Sequence, residues 1–247
     1  MRASARIRAV ADGRGGTRLS ELRSEPPLVL RRTGPAEVHL VGGAAGPLGG
    51  DRLSLAVDVG PGATLCLRTV AASVALPGAD GAESRVEIVA TVAAGARLSW
   101  LPEPLIAAAG CRHVATSTVT VAEGGWLCWR DELVCGRYGE PPGDAAQETT
   151  LRLGGRTLYR HRLAVGPAAA GWAGPAVLGG ARAAGSLLLV DPAWLATGPP
   201  AGTVSGDTAA LLPLAGAAAV ATATGVDLRA LRRALAEVTG PGDVAPP

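Results

Sequence analysis

The sequence predicts a mainly β protein, an elongated stack of β-hairpins forming a helical or two-layered β body, with one or two short C-terminal helices. Three observations carry this. The pattern V-x-x-G-[AG]-x-L-x-[LW] occurs as Val59–Leu67, Val92–Trp100 and Val121–Trp129, at a period of roughly 30 residues that suits stacked units. Apolar and polar residues alternate on either side of each copy, the period of a half-buried strand. Helical spacing is confined to Asp227–Val238.

The alternating runs are Leu53, Leu55, Val57, Val59, then Val86, Ile88, Ala90, Val92, and then Val119, Val121. Alternation resumes after each glycine, at Leu65/Leu67, Leu98/Trp100 and Leu127/Trp129. Strand, short Gly-containing turn and strand read as a hairpin. Gly62, Gly95 and Gly124 are placed to supply its positive φ. A looser fourth copy runs from Leu151 to Leu158, and Gly42-Gly43 and Gly49-Gly50 read as further turns. One hairpin cannot bury both of its faces, whereas a stack of them shares a core. An ordinary β-sandwich fits the same spacing, so both architectures stay open.

Beyond the repeats, residues 166–185 are rich in Gly, Ala and Pro and read as a long loop. Ser186–Val190 reads as a short strand. Leu211–Thr224 reads as further strand or as an Ala-rich helix, and Pro213, Gly216 and the threonines favour strand. Asp227 is placed to cap a helix whose Leu228, Leu231 and Leu235 share a face and which Gly240-Pro241 would stop, leaving a frayed tail. Residues 1–190 thus form the β-rich body, and residues 191–247 a strand and helix extension of the same domain.

Composition narrows function by exclusion. The 247 residues include 23 basic ones, all Arg, against 21 acidic, for a net charge of +2 with the charges interspersed. That distribution does not suit a nucleic-acid-binding face. Phe, Lys and Asn are absent, a bias of codon usage before it is one of function. Arg2, Arg6, Arg8 and Arg14 break the N-terminus, so it has no apolar signal core, and no run is long enough to span a membrane. Four cysteines make no dense disulfide framework. A reducing, cytoplasmic setting is the expectation.

Without a lysine there is no phosphate-binding loop of the G-x-x-x-x-G-K-[ST] type. No G-x-S-x-G elbow and no H-E-x-x-H helix is present. Cys111 and His113 lie two apart, on one side of an extended segment, as weak metal ligands; His39, His161 and the Cys128/Cys135 pair are others. No C-x-x-C spacing supports a closed structural zinc site. The carboxylates Asp51, Glu103, Asp131, Glu132 and Glu140 offer a rival reading, a β-helical hydrolase acting on carbohydrate through paired acids.

Three blocks in order carry a resemblance. They are GPLGGDRLSLAVDVGPGATLCLRTVAAS (Gly46–Ser73), LSWLPEPLIAAAGCRH (Leu98–His113) and LVCGRYGE (Leu133–Glu140). Together the Gly-Gly-Asp before an alternating strand, the L-x-W-L-P-x-P-x-I block and the Gly-Arg block ending in Gly139-Glu140 resemble the UreD (UreH) urease accessory family over positions 25–190. The last block is one residue shorter than the family's. Arg68–Pro77 replaces a polar, then basic and aromatic, family segment with an apolar one, although Thr69, Ala71 and Ser73 remain small.

The resemblance implies a binding module and not an enzyme. It would meet apo-urease and UreF, with the GTPase UreG joining, for nickel insertion that also requires carbon dioxide. GTP would act only through that partner, and no cofactor would be tightly held. Nickel in transit through an internal polar tunnel would want weak, repeated oxygen contacts, because a tight ligand set would trap it. Asp51, Glu103 and Glu140 are the candidates for groups facing the passage or a partner, and Cys111 and His113 are less favoured.

Overall fold

Alternation sorts the strands into two layers. The computed structural model of the chain describes residues 1–239; the Gly240-Pro241 stop and the terminal tail lie outside the described residues. In chain order the elements are β1 (Arg2–Ala11), β2 (Thr17–Arg23), β3 (Leu28–Arg32), β4 (Glu37–Gly42), β5 (Arg52–Val59), β6 (Thr64–Thr69), β7 (Ser73–Ala75), β8 (Ser84–Val92), β9 (Arg97–Leu101) and β10 (Leu105–Ala107). They continue with β11 (Arg112–Val121), β12 (Trp126–Cys135), β13 (Asp144–Leu153), β14 (Arg156–Val165), β15 (Ala183–Val190), α1 (Trp194–Thr197), β16 (Thr203–Ser205), β17 (Ala209–Pro213), β18 (Ala218–Gly225) and α2 (Leu228–Thr239). One layer has seven strands in the order β14-β13-β11-β8-β5-β1-β2. The other has eleven among the described residues, nine of them in the order β16-β17-β18-β15-β12-β9-β6-β4-β3, with β10 beside β12 and β7 beside β10.

The two-layered stack is the predicted body, but its repeating unit is a corner and not a hairpin. Strands β5 and β6 flank the first repeat glycine yet lie in different layers. β5 pairs in parallel with β8, and β6 with β9. Alternation reads the same in either topology; the turn decides. Gly60–Ala63 closes with the Ala63 N–H donating to the Gly60 carbonyl at 3.1 Å, and Gly62, Gly95 and Gly124 have φ of 68°, 70° and 81°. The amides just before these turns are committed to the neighbouring coil: Ala93 donates to Val59 at 2.9 Å and Ala122 to Val92 at 2.8 Å. The small fifth position of the motif is buried at the corner, in Ala63 and Ala96. The fourth copy is a true hairpin, with β13 and β14 antiparallel across Gly154-Gly155.

The main core lies between the layers, built from inward residues such as Leu55, Val57, Leu65, Leu98, Val119, Leu127, Trp129 and Leu151. Trp100 and Trp129 sit with ring centroids 5.4 Å apart inside it. A second cluster forms where α2 lays Leu231, Leu235 and Val238 on the outer face of the larger layer, against Leu187, Leu189, Ala221 and Ala223. Burying each such leucine contributes on the order of 2 kcal/mol. Asp227 caps α2 as predicted, accepting the Ala230 N–H at 2.7 Å. The stretch favoured as strand at Leu211–Thr224 is β17 and β18, and the loop predicted over 166–185 ends at Arg182, because β15 begins at Ala183.

A polar band between the layers as candidate functional site

Strand β12 places Leu127, Trp129, Asp131, Leu133 and Cys135 on the inner face and Trp126, Cys128, Arg130, Glu132 and Val134 on the outer one, by simple alternation. Asp131 therefore projects into the space between the layers. There it accepts the Thr149 hydroxyl from the opposite layer at 2.6 Å and the Trp129 indole N–H at 3.2 Å. Register extends this point into a band. Asp131 lies beside Ser186, and Ser186 beside Thr222, on the larger layer. Ser117 lies beside Thr149, and Thr149 beside His161, on the smaller one. Ser117 and Thr149 are buried, Ser186 is half-buried, and Thr222 and His161 are exposed. The polar groups thus lead from the interior to the β14–β18 end of the stack.

Burial pushes the Asp131 carboxyl above its ordinary pKa, against the hydrogen bonds from Thr149 and Trp129, and the charge of Glu132 adds to the rise. Tyr159, inward on β14, is pushed up to about 12 by burial and by Asp131. His161 lies against Tyr159, with centroids 6.0 Å apart, and the covered part of its ring lowers its pKa. At neutral pH it is an uncharged imidazole with an acceptor nitrogen. Among the described residues no three His, Cys, Asp or Glu side chains come together as a metal site. The band offers single oxygen and nitrogen contacts in series, which can bind a divalent cation weakly but cannot cage it.

The residues singled out from sequence do not converge. Asp51 is buried in a turn: burial raises its pKa, but bonds from the N-terminal ammonium at 2.8 Å and the Leu48 N–H at 2.9 Å bring it below normal. That turn needs Gly49 for contact, since a Cβ there would meet the Gly78 nitrogen at 2.3 Å, and Gly50 for its φ of 93°. Glu103 faces Arg232 of α2 at 3.0 Å. The same guanidinium grips buried Glu132 at 2.6 and 2.9 Å. Glu140 is held down at about 2, first by the Arg137 side chain and then by its amide, closing the Gly136–Glu140 loop.

Cys111 and His113 are both buried. The Cys111 thiol is pushed up to about 11 by burial and by Asp144 and Glu140, and donates weakly to the Asp144 carbonyl at 3.7 Å. His113 Nδ1 lies 2.8 Å from the Ser84 hydroxyl, and burial lowers its pKa to about 4. His39 pairs with Thr33 and Glu37. Ser117, Thr149, Tyr159, Ser186 and Thr222 escape a reading based on motifs. Their signal is positional: each takes an inward place in a strand whose other inward places are mostly apolar, as Asp131 does between Trp129 and Leu133.

The profile of one protein family, described as UreD urease accessory protein, matches residues 1–240. The chain belongs to the UreD family. It is 47% identical over 242 residues to the urease accessory protein UreD of Streptomyces avermitilis, covering 96% of each chain. It is likewise 47% identical over 240 residues to the Streptomyces coelicolor UreD, covering 95% of this chain and 94% of that one. A Saccharopolyspora erythraea protein, urease accessory protein UreD 2, is 42% identical over 248 residues, covering 97% and 87%. The match over residues 1–240 extends on both sides of the span of 25–190 that the motifs carry. UreD proteins are accessory factors of urease maturation, not enzymes, and the hydrolase reading gives way. Of the acids that reading named, Glu103 and Glu132 come together on Arg232. Among the described residues no helix is long and apolar enough to cross a membrane.

Proposed function

We propose that this UreD-family chain is a cytoplasmic scaffold that binds apo-urease and UreF, works with the GTPase UreG, and lets nickel pass along the polar band toward the urease active site. Asp131 carries this reading. This carboxyl is half-buried between the layers, where desolvation opposes its charge, and an apolar residue would pack at the same place without that cost. Here the carboxyl stands at the inner end of a series of hydroxyls that opens at His161 and Thr222. A hard or borderline divalent cation finds carboxylate, hydroxyl and imidazole contacts one at a time, suited to passage and not to storage. Nucleotide chemistry belongs to the partner, because this chain has no lysine for a phosphate loop. Asp51, Glu103 and Glu140 hold the shape of surfaces that partners meet.

The test is to co-express the tagged chain with the urease subunits, UreF and UreG of the same genome. Retention of UreF and apo-urease on the tagged chain is expected. A well-folded chain that retains neither overturns the scaffold role.

A further inference from the structure

The two layers do not end together. Counting outward from the corner that joins β11 to β12, the smaller layer continues through β13 and β14. The larger one continues through β15, β18, β17 and β16. Strands β17 and β16 therefore project beyond β14, with no strand of the smaller layer opposite their inner face among the described residues. That face carries Ala210 and Leu212, in line with inward Thr222 and Val220, and Val204 opposite Ala210. Leu212 is 47% and Val204 71% exposed, although both sit on the side that is core elsewhere in the same layer.

Strand β14 bounds this shelf and is a free edge. Among the described residues its backbone bonds only to β13. Its ten residues are long for an unprotected edge, and such an edge is a template for a further strand. Arg160 on its outer face, Arg156 at its start and Arg152 on β13 are exposed, and none has an ion-pair or hydrogen-bond partner among the described residues. Arg162 is already paired with Glu148.

We infer that this end of the stack is a docking edge where a partner protein adds a β-strand to β14, its acidic side chains toward Arg152 and Arg160 on the outer face and its apolar ones on Leu212 and Val204. A strand added there lies about 4.8 Å from β14 and about 10 Å above β17, the spacings of paired strands and packed layers. It would complete the smaller layer over the exposed shelf. Alternation fixes the donor's chemistry: acidic and apolar residues in period two. A second copy of this chain does not fit, because two β14 edges would bring their unpaired arginines together. Which protein donates the strand rests on the maturation reading above.

The test uses the same co-expression with Leu212→Glu, with Arg152→Glu/Arg160→Glu, and with Val89→Glu on the outer face of the smaller layer as control. Circular dichroism first establishes that each variant is folded. At least tenfold less retained partner is expected for the first two and wild-type retention for the control, with β14 amides exchanging at least tenfold more slowly in the captured complex. Unchanged retention in both variants, or β14 exchange that is the same free and bound, overturns the docking edge alone. A wild-type chain that captures no partner overturns the maturation reading and, lacking a strand donor, this inference with it.

Discussion

The Thr149 hydroxyl donates to Asp131 across the two layers at 2.6 Å, a polar link beside the apolar core between them. The energetic sign of Asp131 is adverse. Its folded pKa is raised, so between the ordinary carboxylate pKa and that higher value the folded chain holds more protons than the unfolded one. Stability therefore falls as pH rises through that window, and at neutral pH the charge is a cost.

Asp131→Asn removes that charge while leaving an oxygen for Thr149 and Trp129. Its melting temperature is expected to equal or exceed that of wild type at pH 7. Co-expressed urease is expected to hold at least fivefold less nickel per active site, with UreF retention unchanged. Metal analysis of purified urease beside a thermal melt reads both. A variant that is less stable and delivers nickel normally would assign Asp131 a structural role.

Arg232 joins α2 to β12 through Glu132, a contact 100 residues apart in sequence. Glu132 is fully covered, and its other cation is Arg130, 3.8 Å away. Arg232→Ala leaves a buried carboxylate nearly alone, which costs about 2–3 kcal/mol after allowing for the partial exposure of Arg232. Adding Glu132→Gln is expected to recover at least half of that loss. Urea denaturation of the two single variants and the double one measures the coupling. Additive losses would show that the pair is not coupled.

The strands of the repeats, the corner glycines and the α2 cap were legible because each is local: period-two alternation, a glycine at a positive φ, an Asp before an apolar face. The layer to which a strand belongs was not legible. β5 and β6 look like hairpin partners until the stacking bonds of the corners assign each to a neighbour about 30 residues away. The polar band is illegible for the same reason. Asp131 stood in the sequence as one carboxylate of several, and only register sets it beside Ser186 and across from Thr149. Asp51 and Glu140 drew notice by sitting in family motifs, where the structure has them fastening turns.

His113 carries a pH dependence of the opposite kind. Burial lowers its pKa from 6.5 to about 4, so below neutrality the unfolded chain binds the proton first. Stability is fully present above about pH 6.5 and declines as pH falls toward 4, by roughly 3 kcal/mol at about 1.4 kcal/mol per pKa unit. Melting temperature followed from pH 7.5 to 4.5 is expected to fall less steeply in His113→Gln than in the parent chain. Parallel curves would place the acid sensitivity elsewhere.

The corners carry the last prediction. Ala63 and Ala96 fill the fifth motif position in two coils, so Gly125→Ala in the third looks harmless, and Gly125 does not need a positive φ. Yet a Cβ on Gly125 would lie 2.8 Å from Val121 Cγ1, 3.0 Å from the Ala93 carbonyl and 3.1 Å from that of Ala122. Val121 is β-branched and buried, so it has no free rotamer to yield, and the carbonyls belong to the stacked corners. Gly125→Ala is therefore expected to cost about 1–3 kcal/mol by overpacking. Ala96→Gly, at the matching place one coil earlier, costs about 1 kcal/mol through lost burial and added chain entropy. Chemical denaturation of the two variants decides between contact and backbone preference. If Gly125→Ala were neutral, the corners would be interchangeable and the tight approach at Val121 would have no energetic consequence.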